Sequence, residues 1–215
     1  MQTIELHDLL TIEQLTTGET ALTVSGMALG KSDNSVLKAH AAMELTAGRR
    51  LPVAFHLDKR IPPGAGLGGA SSDAAAALVG LKTLFKLDLD LGAVAAKVGS
   101  DVPFFLHRGA AIIEGRGERV TPIPTSADWF AIAWPGIELS TKAVYQAWDR
   151  VRGEGLEGAA EHVEPRLGEV ARSLGPGWRM TGSGSAFFKV VATEGEAQHA
   201  LQGIECWTAV SPALR

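Results

Sequence analysis

The stretch "RIPPGAGLGGASSDAAAAL" (residues 60–78) gathers the residue types most able to do chemistry. Gly64, Gly66 and Gly69 meet the spacing G-x-G-x-x-G, and Ser71, Ser72 and Asp73 follow directly. Glycines let a backbone approach a phosphate chain with its N–H groups turned inward. A helix that starts just beyond them adds the positive end of its dipole. Two other stretches carry side chains or turns of the same kind. "VGSDVPFFL" contains Asp101, and "MTGSGSAFF" contains Gly182, Ser183 and Gly184.

Taken alone, the glycine spacing also suits a dinucleotide site, or a turn that binds nothing. Three features argue against a dinucleotide. The entering strand alternates and ends in Lys59-Arg60-Ile61-Pro62-Pro63, whereas a Rossmann first strand is buried on both faces and apolar throughout. Asp88 and Asp90 stand about where the ribose-binding acid belongs, but between two helical patterns rather than at a strand end. The run Ser71-Ser72-Asp73 offers hydroxyls at a helix start, which suit phosphate oxygens or Mg²⁺. A Walker-type loop fails as well, because no lysine precedes the serine pair.

The elements that must position these residues follow from periodicity. "LPVAFHLDKRI" alternates, with Val53, Phe55 and Leu57 on one face and His56 and Asp58 on the other, as in a strand with one covered face. Ala74, Ala77, Leu78, Leu81, Leu84 and Phe85 form a helical stripe, and Ser71 or Ser72 is the expected N-cap. A second helix spans about 91–98 and stops at Gly99, and "GAAIIEGRGERVTPI" reads as a hairpin. "TPIPTSAD" is the expected domain junction. Beyond it the pattern gives a strand at "WFAIAWP", a helix from about Ser140, a glycine-broken segment at Gly153–Gly158 and a helix near Val163–Leu174. "TGSGSAFFKVVA" then reads as a loop entering a strand, and a last helix and strand close the chain. The whole predicts an α+β mixture in two parts.

Composition narrows the partners. The chain has 215 residues, is 46% apolar and carries a net charge of −4, so it can build a core but shows no basic footprint for nucleic acid. No run is long and apolar enough to span a bilayer. The acidic, unbasic start "MQTIELHDLL" does not read as a signal peptide, and a single cysteine, Cys206, fits a reducing cytoplasm. Any polyanionic substrate must therefore be met by local positive groups rather than by the global field.

Together, "IPPGAGLGGASSDAAAAL", "VGSDVPFFLHRGAAIIEGRGE" and "MTGSGSAFF" resemble, in this order, the three motifs of the GHMP kinases. The likeness is greatest to the branch acting on a cytidine-diphosphate-linked methylerythritol. The resemblance implies an α+β fold with a ribosomal-protein-S5-like N-terminal domain (1–125) and a ferredoxin-like C-terminal domain (126–215). It implies ATP and Mg²⁺, and phosphorylation of the substrate's 2-hydroxyl in the non-mevalonate isoprenoid precursor pathway. The ATP phosphates would be held by Pro62, Pro63, Gly64, Ala65, Gly66, Leu67, Gly68, Gly69, Ala70, Ser71 and Ser72. Ser71 or Ser72 would reach Mg²⁺ through Mg-ATP, there being no direct metal motif. Ala65 and Ala70 stand where glycine is frequent, which a negative φ tolerates.

Asp101 matches the aspartate that orients or accepts the proton of the substrate hydroxyl, while its local alternative is a helix cap. Gly182 and Ser183 match a loop beside the phosphate site, while their local alternative is a tight turn. Asn34 matches an asparagine near the adenosine, or caps the helix that starts there. Tyr145 matches an aromatic set against the cytosine; its helical spacing with Trp148 and Val151 equally suits the core. The five tryptophans read as packing.

The resemblance also implies a preceding strand with a Lys-x-Asn-Leu-type motif and a Gly-Tyr-His-like turn, neither of which occurs in this sequence. The segment between Trp148 and Glu161 is shorter than the family's pattern. The expectation is thus an N-terminally truncated fold with an unpaired sheet edge. Loss of one fixed positive charge at the site would slow catalysis by about 10²–10³-fold. Two alternatives stand beside this: a catalytically impaired nucleotide-binding module or fragment, and a GHMP kinase for another small alcohol.

Overall fold

A computed structural model describes residues 1–28, 34–151 and 155–215. Its first layer is a three-stranded sheet of β1 (Leu9–Gln14), β2 (Ala21–Gly26) and β3 (Val53–Lys59). Strand β3 is central, antiparallel to β1 and parallel to β2. The alternation in β3 does what the sequence implies: Val53, Phe55 and Leu57 are buried and His56 is exposed. Three helices cover that face: α1 (Ser35–Ala47), α2 (Gly69–Leu84) and α3 (Leu91–Val98). Ala74, Ala77, Leu78 and Leu81 of α2 lie wholly inside the resulting core.

A hairpin of β4 (Ala110–Glu114) and β5 (Arg119–Ile123) follows. The chain then forms an antiparallel sheet of β6 (Trp129–Trp134), β7 (Arg179–Met180), β8 (Phe187–Val191) and β9 (Trp207–Pro212), in the order β7-β8-β6-β9. A second apolar cluster draws on α4 (Thr141–Trp148), α5 (Gly155–Val163), α6 (Arg166–Leu174) and the sheet, through Val144, Ala160, Leu167 and Phe187. Helix α7 (Glu194–Ala200) packs on β6, β8 and β9. The N-terminal segment links the halves: Thr3 N donates to Gly109 O at 2.9 Å, and Ile4 bridges to Ala213. Among the described residues no helix is long and apolar enough to cross a membrane.

Three expectations need correction. Helix α2 begins at Gly69, and its N-cap is Gly68 at φ 77°, not Ser71 or Ser72, which lie in the first turn. The left-handed cap suits glycine, and a Cβ there would meet the Phe105 ring at 2.7 Å. The helix expected near Val163–Leu174 starts three residues later, as α6 at Arg166: Val163 is the last residue of α5, and Pro165, which cannot donate an N–H, separates the two. The glycine-broken segment lies partly outside the described residues, and from Gly155 onward it is α5. Burial of Ala159 and Ala160 overrides the weak local propensity there.

One polar group of three sits inside this fold. The Lys59 ammonium, at the end of β3, donates to Asp8 and, at 2.9 Å, to Asp73 Oδ2 in α2. All three side chains are at least 95% buried. Burial, and the second carboxylate of Asp8, push the Asp73 carboxyl up to about 7 against the pull of Lys59. Two carboxylates sharing one ammonium in a dry site do not both stay ionised easily.

Two predictions arise here. Leu81→Ala, which empties a fully buried site, should lower unfolding free energy by about 2–5 kcal/mol in a denaturant titration. The second concerns Asp73. Between about pH 4 and 7 the folded state holds the extra proton, so the stabilising contribution of Asp73 is full below its unfolded pKa and is lost as pH rises toward 7. Asp73→Asn removes this dependence, so the stability of the variant relative to wild type should climb across that window and level off above it. A pH-independent difference would refute the assignment.

Candidate active site

The glycine-rich loop leaves β3 and enters α2, and its backbone is held from both sides. Arg60 N and Ile61 N donate to Asp8 Oδ1 at 2.6 and 2.8 Å just before Pro62. Gly64, Gly66 and Gly68 all have positive φ, at 68°, 74° and 77°, whereas Ala65 and Ala70 do not, so their methyl groups are unstrained. Among the described residues the N–H groups of Gly66, Leu67, Gly68, Gly69 and Ala70 have no hydrogen-bond partner. Ser71 N and Ser72 N donate to Gly68 O at 3.0 and 2.9 Å, and the Ser72 hydroxyl donates to Gly69 O at 2.8 Å. Five unpartnered amides opening a sixteen-residue helix form a cradle for an anion.

The third motif packs directly on this loop. Ala65 O accepts from Ala186 N and from Thr181 Oγ1, each at 2.9 Å. A Cβ on Gly66 would lie 2.5 Å from Gly184 O and 2.7 Å from Thr181 O. The turn at Gly182–Gly184 therefore joins the two halves of the molecule at the cradle. Ser183 Oγ donates to Thr141 Oγ1 at 3.2 Å, which ties the same turn to the start of α4. Ser185, fully buried behind it, donates to Ile137 O and accepts from Trp134 Nε1.

Asp101 lies on a turn closed by Val102 N donating to Gly99 O at 3.2 Å. The turn leads into a short 3-10 segment, Phe104–Leu106, whose Phe105 ring packs against Gly68. The tip of the β4–β5 hairpin closes over it, with Gly117 against Ser100 O. Asp101 is exposed, and among the described residues its carboxylate meets no donor or cation, so it is not the helix cap that local reading offered. It stands on the segment adjoining the cradle with its acceptor oxygens unengaged.

Asn34 does cap α1, its Oδ1 accepting from Val36 N at 2.8 Å. Tyr145 is not core: it is 47% exposed on α4, edge-on to Trp148 with ring centroids 6.2 Å apart, and Trp148 is 43% exposed. Helical spacing could not show this, because Val144 and Ala147, one position earlier, take the buried stripe. The sequence reading missed Asp8, Lys59 and Asp73. Strand parity gave a signal for Lys59, which shares the buried face of Val53, Phe55 and Leu57. Asp73 shares the α2 stripe of Ala77 and Leu81.

The chain's likeness to known proteins agrees with this geometry. Residues 34–109 match the family model described as the GHMP kinases N terminal domain. The 4-diphosphocytidyl-2-C-methyl-D-erythritol kinase of Mannheimia succiniciproducens is 33% identical over 218 residues, covering 92% of this chain and 72% of that protein. The enzyme of that name from Rhodococcus jostii is 39% identical over 173 residues, covering 70% of this chain and 56% of that protein. The chain thus spans between about half and three quarters of the length of these relatives. A crystal structure of 4-(cytidine 5'-diphospho)-2C-methyl-D-erythritol kinase superposes with a TM-score of 0.79 at 33% identity, over 98% of this chain and 87% of that one. Mevalonate kinase from Methanococcus jannaschii, 13% identical, shares the fold over all of this chain and 90% of its own at a TM-score of 0.66. The chain belongs to the 4-diphosphocytidyl-2-C-methyl-D-erythritol kinase family, within the GHMP kinases.

Proposed function

We propose that the chain is an ATP-dependent kinase for 4-diphosphocytidyl-2-C-methyl-D-erythritol, transferring the γ-phosphoryl group to the 2-hydroxyl in the non-mevalonate isoprenoid precursor pathway. The observation that carries the reading is the run of unpartnered amides from Gly66 to Ala70 at the head of α2, adjoining the turn that holds Asp101. Residues 62–72 hold the phosphates, chiefly through backbone N–H groups, with the Ser71 and Ser72 hydroxyls as side-chain contacts. Mg²⁺ arriving with the nucleotide supplies charge neutralisation at the phosphates. In this reading residues 1–125 are the ATP-binding domain, residues 126–215 the second domain, and the cytoplasm the setting.

Phosphoryl transfer asks for position and charge compensation more than covalent chemistry. Asp101 orients the acceptor hydroxyl and takes its proton as the oxygen bonds to the γ-phosphorus and the bond to the β-phosphate breaks. The exposed Tyr145 ring offers a face to the cytosine, and the turn at Gly182 and Ser183 borders the acceptor. Stacking on a nucleobase suits such a ring. Asn34, with its Oδ1 spent on the cap of α1, keeps its amide N–H groups for the adenosine.

The test is ATP turnover by the purified chain with and without the cytidyl substrate. Asp101→Asn should cut substrate-dependent turnover by about 10²–10⁴-fold while nucleotide affinity stays within a few-fold. Nucleotide binding with no turnover in wild type would instead favour a non-catalytic module, and turnover with a different alcohol alone would favour another GHMP kinase. Gly66→Ala adds a methyl group that the carbonyls of Gly184 and Thr181 exclude, at a φ that disfavours it. It should weaken ATP binding more than tenfold. Gly48→Ala, at a similar φ but in open space, should leave binding unchanged.

A further inference from the structure

The Asp8–Lys59–Asp73 cluster is not part of the surface that would touch the substrates, yet it meets both ends of the glycine loop. At the entry, Asp8 Oδ1 takes the N–H groups of Arg60 and Ile61, at 2.6 and 2.8 Å. Its other oxygen takes the Lys59 ammonium. At the exit, the same ammonium reaches Asp73 Oδ2 at 2.9 Å, one turn into α2. It also lies against the first residue of that helix: a Cβ on Gly69 would be 2.9 Å from Lys59 Nζ and 3.0 Å from Ile61 Cγ2.

A buried ion cluster is a poor source of stability, since well-packed apolar side chains would cost less to desolvate. Its distinctive property is directional. One ammonium with two fixed acceptors sets the distance between the end of β3 and the head of α2, and the nine residues between them, 60–68, follow. The loop makes few bonds of its own, with Ala65 O engaged and five amides open. Beyond the contact of Ala65 and Gly66 with the turn at Gly182–Gly184, its shape therefore depends on where its ends are held. We infer that Lys59, with Asp8 and Asp73, is a positioning residue that braces the two ends of the glycine loop and so sets the spacing of its amides toward the phosphates of a nucleoside triphosphate. The phosphate part of this inference rests on the proposed kinase reading; the brace itself does not.

The experiment compares wild type with Lys59→Met, Lys59→Gln and Asp73→Asn, first without ligand and then with ATP. Native-state hydrogen exchange reads the brace directly. In Lys59→Met the amides of Arg60, Ile61, Ser71 and Ser72 should exchange at least tenfold faster, while those of Leu78 and Leu81 stay within twofold. Lys59→Gln, which keeps a donor, should show the same pattern more weakly and serves if Lys59→Met does not fold. Asp73→Asn keeps an acceptor for Lys59 and should leave the loop ends within about threefold. The ATP dissociation constant should rise tenfold or more in Lys59→Met with the KM for the acceptor alcohol within twofold. Unchanged exchange at the loop ends would overturn the brace, as would equal acceleration throughout the core or equal loss of affinity for both substrates. If the exchange pattern appears but wild type binds no ATP, the brace stands and the kinase reading falls.

Discussion

The structure turns on a place where two backbones touch. At Gly66 there is no room for a side chain, because the carbonyls of Thr181 and Gly184 already occupy it. Two loops 115 or more residues apart in sequence thereby become one surface, fastened by the bonds from Thr181 and Ala186 to Ala65 O. Each loop is also rooted in its own half: the first between β3 and α2, the second between β7 and β8 and against the head of α4. The cradle is therefore anchored to elements of two separate apolar cores. Glycine is required here for close approach as well as for its positive φ.

The electrostatics follow from that arrangement. A chain with a net charge of −4 has no long-range pull on a polyanion, so a phosphate site has to be built from near neighbours. Here the neighbours are open amides and a helix terminus, dipoles that cost little to leave in water when the ligand is absent. The nearest buried cation, Lys59, is already shared by two carboxylates, so the group has a net charge of −1 when all three are ionised and zero when Asp73 keeps its proton. The raised Asp73 carboxyl thus lessens the negative charge behind the cradle near neutrality.

Much of the fold was legible in the sequence because its signals are local. The alternation of β3, the stripe of α2 and the β4–β5 hairpin each rest on neighbours within a few residues. The order of the three glycine-bearing and aspartate-bearing motifs marked the loops that the fold brings together. What was not legible depends on distant partners. Asp8 stands before an edge strand and looks solvated until Lys59, 51 residues on, is seen to reach it. Tyr145 and Trp148 share a helical period with the core, but the neighbouring Val144 and Ala147 win the buried face. Ser71 and Ser72 resemble N-caps, yet the left-handed Gly68 is the cap itself and leaves its own amide and the next two without a hydrogen-bond partner among the described residues.

Asp101 and Asp73 show how environment, rather than residue type, divides the labour around one loop. Both are aspartates on segments that adjoin the glycine turn. Asp73 is enclosed, bonded to a cation and kept from solvent, so it can hold a distance but cannot exchange a proton quickly with a bound alcohol. Asp101 is exposed on a turn that two neighbouring elements support from behind, and no side chain claims its oxygens among the described residues. A carboxylate held by its backbone and left open at its tip is suited to receive a proton from outside the protein. Exchanging the two environments would leave the loop without its brace and the acceptor without its base, although the composition of the site would be unchanged.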